Sequence, residues 1–407
     1  MRHFGFLHEH ETAALFAVPP RSFDRHSPAW TLALALGATL YSPGTRADLA
    51  ADAARAARIG AASVVWDLED AVPHARVEEA EQNTARGIVA LSHHDDDGDI
   101  PLLFVRVRDT AQVDRIAAQV SPARLNRLTG FVLPKVDPNN ANAMLDAVER
   151  ASGRAGRTLF AMPVLETPEI AWTETRRATL LGLREVFDAH KDTVLAVRVG
   201  GTDLCGLFGL RRDSNTVVWD IAVVRDVLAD ILNTFARRGD YVVTGPVWEH
   251  FSGDRMFKPS LRTTPFKNAG LLKTRQSLVD SAADELIRET VLDRANGMCG
   301  KTVIHPTRVA PVNALLAVTR EEHDDALAVL AAAQEGGAVA SASRNKMNEM
   351  GPHVLWAEQV ALRAAVYGVL HEQAGALHVL QKGRDAAAAE YGRRTQSEAV
   401  QGVAWQA

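Results

Sequence analysis

The chain has 407 residues, 47% of them hydrophobic and 23% charged, with a formal net charge of -5. That is an ordinary balance for a globular protein with a large core, and it gives no bulk attraction to nucleic acid or to an anionic membrane. Two cysteines, Cys205 and Cys299, exclude a disulfide framework and a cysteine-rich zinc site and point to a reducing, cytoplasmic setting.

Residues 1–30 read as an irregular arm interrupted by Pro19, Pro20 and Pro28. Its His8-Glu9-His10-Glu11 run has metal-ligand residue types, but a solvated, poorly ordered terminus is the simpler reading. The apolar stretch 29–40 lacks a basic flank and is too short to span a bilayer, so neither a signal peptide nor a membrane helix is expected.

From 31 to 318, short apolar runs alternate with Ala-, Leu- and Arg-rich segments of helical periodicity, such as 47–59 and 140–151. The predicted strands are 39–41, 64–66, 102–105, 130–133, 159–162, 194–197, 241–243 and 302–304. Eight strands alternating with helices predict an α/β fold of the (β/α)8 TIM-barrel type. A doubly wound open sheet would want a Gly-rich phosphate fingerprint after its first strand, and none is present.

The segment 251–275, after the seventh strand, breaks the alternation. It carries Arg255, Lys258, Arg262, Lys267, Lys273 and Arg275 against a single acid, Asp254. A basic insert at that position predicts an anion-binding lid over the barrel mouth, with a solvated surface loop as the alternative. Residues 319–407 read as a helical extension. It has helices at 321–334 and 354–370, a small-residue loop at 336–343, a polar hinge at 344–351 and a fraying end from 382.

The chemistry gathers at the strand ends, where barrel enzymes place their catalytic groups. The second strand runs into Asp67-Leu68-Glu69-Asp70, three carboxylates after an apolar run. Read blandly, this is the acidic start of a helix. The third carries Arg106 and Arg108, turned to one face by the strand period. The fourth ends in Pro134-Lys135, the fifth in Glu166-Thr167, the sixth in Gly200-Gly201-Thr202-Asp203 and the eighth in His305-Pro306.

Glu166 and Asp203, at the ends of adjacent strands, suit Mg2+, which takes oxygen ligands and commonly only one or two protein carboxylates. Helix capping and salt bridging are the alternatives. Arg106 suits an anion clamp, because its planar fork can hold a carboxylate by two hydrogen bonds. An ion pair with Asp67 or Glu69 would be compatible with that role. Gly200-Gly201 allows close backbone approach to a ligand or makes a tight turn. His305, before Pro306, reads as structural rather than as a general acid or base.

Taken together, these residues resemble the citrate lyase β-subunit and HpcH/HpaI aldolase superfamily. The motifs that carry the resemblance are Asp67-Leu68-Glu69-Asp70, Arg106, Leu133-Pro134-Lys135, Glu166-Thr167, Gly200 to Leu204, and Gly300-Lys301 followed by His305-Pro306. They occur in the family's order over roughly residues 38–310.

The resemblance implies a TIM barrel and Mg2+ on Glu166 and Asp203, with Mn2+ as the alternative metal. It also implies Arg106, Lys135, Gly201 and Thr202 on the substrate, and Glu69 and Asp70 as catalytic acids beside the metal. The implied reaction is cleavage or formation of a carbon–carbon bond through an enolate, on a small anionic substrate. A homo-oligomer, trimer or hexamer, is implied as well.

The chain departs from the acyl-CoA members of that superfamily. Ala38 stands where they have an arginine before the first strand, and the strand ends Tyr41-Ser42-Pro43-Gly44. Met347-Asn348-Glu349 aligns with a segment whose aspartate enters a neighbouring subunit's site, which makes Glu349 the candidate replacement. These departures bring the chain nearer a divergent C–C bond lyase branch associated with tellurium-resistance-type biosynthetic operons. Two rival readings are an acyl-CoA thioester hydrolase or synthase with Glu349 as base, and a non-catalytic binding subunit. The second is disfavoured because a dead site has no reason to keep costly buried charge.

Overall fold

Eight parallel strands close into a barrel in the computed structural model of the chain. The structure describes residues 1–92, 100–250, 270–271, 273–274, 283–333, 337–341, 343, 345–372 and 375–398, with side chains through 391. The barrel strands are Ala38–Pro43, Ser63–Asp67, Leu102–Arg106, Gly130–Leu133, Phe160–Leu165, Ala196–Val199, Val242–Trp248 and Lys301–Val303. Each overlaps one of the predicted apolar runs. All five residues of Ser63–Asp67 and all four of Gly130–Leu133 are buried, because helices cover one face of the sheet and the barrel interior the other. Lys301–Val303 pairs with Ala38–Leu40 to close the ring.

Register decides which side chains meet at the mouth. Asp67 lies opposite Arg106, and Arg198 lies opposite Val164 on one side and Thr244 on the other. The valines flanking Arg106, Val105 and Val107, are fully buried.

The arm differs from its expectation. Glu9–Leu15 is a helix and Phe16–Val18 a strand, and His3, Phe4, Leu7 and Phe16 are buried. The strand pairs antiparallel with Val369–Leu370, which pairs in parallel with Val318–Thr319. The order comes from partners some 350 residues away, so local pattern could not show it. The His8-Glu9-His10-Glu11 run opens a helix: the His8 backbone N–H donates to Glu11 at 3.0 Å, and Lys382 pairs with Glu11 at 2.6 Å.

In the C-terminal extension, helices Arg320–Ala331 and Met350–Tyr367 enclose a small core that includes Val318, Val329, Met350 and Val360. The expected small-residue loop and hinge each contribute one strand to an antiparallel pair, Ala338–Ala340 with Met347–Glu349. Where fraying was expected, a helix spans Gly375–Glu398, anchored by buried Val379 and Leu380 and packed on helix Val309–Leu316. The insert 251–275, and with it the lid expectation, lies outside the described residues except for 270, 271, 273 and 274. Among the described residues no helix is long and apolar enough to cross a membrane.

Candidate active site

A cavity of about 650 Å³ opens at the C-terminal ends of the strands. Its wall is built from strand ends and the turns that follow them, so residues far apart in sequence converge there.

The turn after the second strand is organised by Asp67. Its carboxylate accepts backbone N–H groups from Glu69 (3.0 Å) and Ala71 (3.2 Å) and both arms of the Arg106 fork, Nε and Nη2, at 2.6 Å each. The remaining nitrogen of Arg106, Nη1, lies 3.1 Å from Glu69 and 3.1 Å from Asp70. Arg106 thus points into the mouth beside Glu69, as the register predicts. Its bidentate grip is on Asp67, its register partner on the neighbouring strand, so the fork is already engaged by a carboxylate of the protein. Arg108 serves the same turn from behind, donating to the carbonyls of Leu68 and Glu69 at 2.7 Å and to that of Val72.

Lys135 adopts a left-handed backbone, φ 50°, uncommon for a side chain of this kind and typical of functional turns. That conformation lets its N–H donate to Glu166 Oε1 at 2.9 Å while its Nζ pairs with Glu69. The Nζ also lies 3.5 Å from Asp70 and 4.0 Å from Asp203. Burial pushes Glu69 up, with a hydrogen bond shared with Asp70 acting in the same direction. For Asp70, burial also pushes up, but that hydrogen bond and the charges of Arg106 and Lys135 prevail and hold it below its usual value. Glu69 and Lys135 stand behind the cavity lining, whereas Asp70 is part of it.

Glu166 and Asp203 both line the cavity. Glu166 is buried, and its carboxyl is pushed up from 4.5 to about 8, first by burial and then by the charge of Asp203. Asp203 sits in the first turn of helix Gly201–Leu207, where the helix dipole favours a carboxylate. A Cβ at Gly200 would stand 1.8 Å from Glu166 Oε2, so only glycine leaves room for that carboxylate. Gly201 and Thr202 line the same wall, and the Thr202 hydroxyl donates to Glu249 at 2.7 Å.

Tyr41, Arg198 and Glu249 line the cavity although sequence reasoning assigned them no role in it. Arg198 and Arg106 both lie over the Tyr41 ring, at 5.6 and 5.5 Å from its centroid. The signal for Arg198 was present as a lone charge inside an apolar strand run. Glu249 gave none, since its partner Arg212, at 3.0 Å, follows the sixth strand. His305 is held by Thr307, Nδ1 to Oγ1 at 2.8 Å, in keeping with a structural turn. Glu349 is exposed on the C-terminal hairpin and is not part of the cavity wall.

The family model described as C–C bond lyase of the TIM-barrel fold matches residues 30–369. The chain belongs to this family. It is therefore a carbon–carbon bond lyase, in keeping with the superfamily that the motifs resemble. Several solved structures share the fold, among them these two. CitE from Mycobacterium tuberculosis, in complex with magnesium, acetoacetate and coenzyme A, is 20% identical over 82% of this chain and 99% of its own, with a TM-score of 0.52. A citrate lyase from Burkholderia xenovorans LB400 is 18% identical over 86% of this chain and 99% of its own, with a TM-score of 0.57. No curated protein matches the sequence.

Proposed function

We propose that this lyase is Mg2+-dependent and acts through an enolate on a small carboxylate-bearing substrate. The observation that carries the reading is the Glu166–Asp203 pair on one cavity wall, with Glu166 driven up to about 8 by burial and by its neighbour. A hard divalent cation relieves that repulsion, and the donor set suits one: carboxylate oxygens, no cysteine or histidine in the lining, and room beside Gly200. Mn2+ is the alternative ion. Bound there, the cation supplies a Lewis acid for a carbonyl oxygen.

The chain's own residues supply the rest. Arg106 and Lys135 hold fixed positive charge beside the mouth, where an enolate's negative charge develops. Glu69 and Asp70 have environments that push their acidities apart, Glu69 upward by burial and Asp70 downward by the shared hydrogen bond and the charges of Arg106 and Lys135. Such a pair is suited to giving or taking one proton at the cavity wall. Gly201 and Thr202 form the substrate-facing wall. Glu349 is assigned to a neighbouring copy's site in a homo-oligomer.

Calorimetry should show one Mg2+ per chain, lost in Asp203→Asn. A screen of 2-hydroxy and 3-hydroxy acids with Mg2+ should release a 2-oxo acid or acetate. The absence of both binding and turnover with Mg2+ and with Mn2+ would reject the reading. An acyl-CoA substrate is the second reading, motivated by the six basic residues of 251–275 and by the coenzyme A in the Mycobacterium tuberculosis complex. Coenzyme A at about a hundred times its Kd would stabilise the protein by roughly 2.7 kcal/mol. An unchanged Tm would remove this reading.

A further inference from the structure

Arg198 is 2% exposed yet forms part of the cavity wall. The groups it hydrogen-bonds are neutral: Thr302 Oγ1 at 2.5 Å, Thr39 Oγ1 at 3.4 Å and Met162 Sδ at 3.7 Å. Among the described residues it makes no ion pair. Arg106, sharing the Tyr41 ring with it, faces three carboxylates, and its like charge repels that of Arg198. A buried guanidinium without a counter-charge is costly, and a protein keeps one where a ligand brings the opposite charge. Thr302 orients one arm of the fork. Thr244, in register with Arg198 on the next strand, has a buried hydroxyl with no hydrogen-bond partner.

We propose that Arg198, oriented by Thr302 and Thr39 against the Tyr41 ring, is a specificity-determining anion subsite that takes a second oxyanion of the substrate. This rests on the lyase reading above for the other end of the molecule, which lies toward Glu166 and Asp203. The cavity then has two poles, an acidic one for a cation and a cationic one for an anion. A substrate spanning them is a small molecule with two anionic groups, and a molecule with one such group leaves the guanidinium unmatched. The planar fork favours a carboxylate, which it can hold by two parallel hydrogen bonds.

The test uses the full chain, with malonate and succinate as two-carboxylate probes and acetate and propionate as one-carboxylate probes. Binding is measured by calorimetry with Mg2+ present and absent. The wild type should bind the better two-carboxylate probe at least about tenfold more tightly than either one-carboxylate probe, as expected for an added charge-assisted contact. Arg198→Met should abolish that preference while leaving Mg2+ binding intact. Arg198→Lys should retain only part of the preference, because the fork is gone, and serves as the test if Arg198→Met does not fold.

A preference that survives both substitutions, or no preference in the wild type, overturns the subsite. Mg2+ binding without an Arg198-dependent preference rejects the subsite and spares the lyase reading. An Arg198-dependent preference without any divalent binding supports the subsite and rejects the metal.

Discussion

Two charge clusters sit within this barrel on opposite terms. Beneath strands seven and eight, Lys301 is fully buried and donates at 2.7 Å to both Glu289 and Asp293. Arg212 adds a second cation on Glu289 at 3.0 Å. The acids also accept from the Val218 N–H and the Trp219 Nε1 at 2.7 and 2.8 Å. At the cavity, by contrast, Glu166 faces another carboxylate, and Arg198 has no acid among the described residues. The residue types are the same and the depth is similar. Matched charge is architecture, and mismatched charge marks the place where a ligand completes the set.

The largest effect that would break this contrast is in the matched cluster. Lys301→Met would leave Glu289 and Asp293 short of a counter-charge in the interior. A loss of about 3–5 kcal/mol of stability is expected, the usual cost of removing one partner of a buried pair. Urea unfolding measures it. A loss below about 1 kcal/mol would mean that the cluster relaxes or hydrates and that the distinction between the two clusters fails.

The unmatched cluster predicts a pH dependence of unusual sign. A carboxyl raised from 4.5 to about 8 in the folded state binds its proton more readily folded than unfolded. Stability is then fullest below about pH 4.5 and is lost as pH rises through about 8, by at most about 1.4 kcal/mol per unit. In metal-free protein, Glu166→Gln should flatten this component relative to the wild type between pH 5 and 8. Mg2+ should do the same to the wild type. Identical slopes in wild type and variant would remove the like-charge pair from the argument.

These effects divide along the line between what local pattern reveals and what it does not. The eight strands were legible because most are short apolar runs that are buried along most of their length. The carboxylates were legible because a charge at the end of such a run is conspicuous. What stayed hidden depends on partners distant in sequence. Arg106 could be placed in the mouth from strand period, but its fork on Asp67 needed the register between two strands. Arg198 stood in plain view within Val197-Arg198-Val199, yet its lack of an acid partner is a property of the neighbouring strands. The arm's order depends on Val369–Leu370, which no window around Phe16 contains.

A smaller effect sharpens the role of the strand-end geometry. Gly200 has an ordinary negative φ of -88°, so alanine there is not strained by the backbone. Its Cβ would nevertheless meet Glu166 Oε2 at 1.8 Å and Glu166 Cβ at 2.5 Å. Gly200→Ala should displace the carboxylate and weaken Mg2+ binding by about 10–100-fold, the range seen when groups that position metal ligands are changed. Calorimetry provides the affinity and near-ultraviolet circular dichroism the fold. Unchanged affinity with an intact fold would mean that Glu166 does not hold the ion.

The smallest effect concerns the arm and reverses the sign of the Glu166 effect. His3 stacks on Tyr367 with centroids 4.2 Å apart, and its Nε2 lies 3.1 Å from the Ala35 carbonyl. Burial lowers its pKa from 6.5 to about 3, so the unfolded chain takes up the proton first. The contribution is complete above about pH 6.5 and is lost as pH falls toward 3. By pH 5 the loss attributable to His3 should be about 1–2 kcal/mol. His3→Phe retains an aromatic ring for Tyr367 and cannot titrate. All other groups contribute alike to both proteins, so the difference between their urea midpoints at pH 7 and pH 5 isolates His3. The variant should lose less stability on acidification than the wild type. Equal losses would show that His3 is solvated in solution and that the arm is not held by this contact.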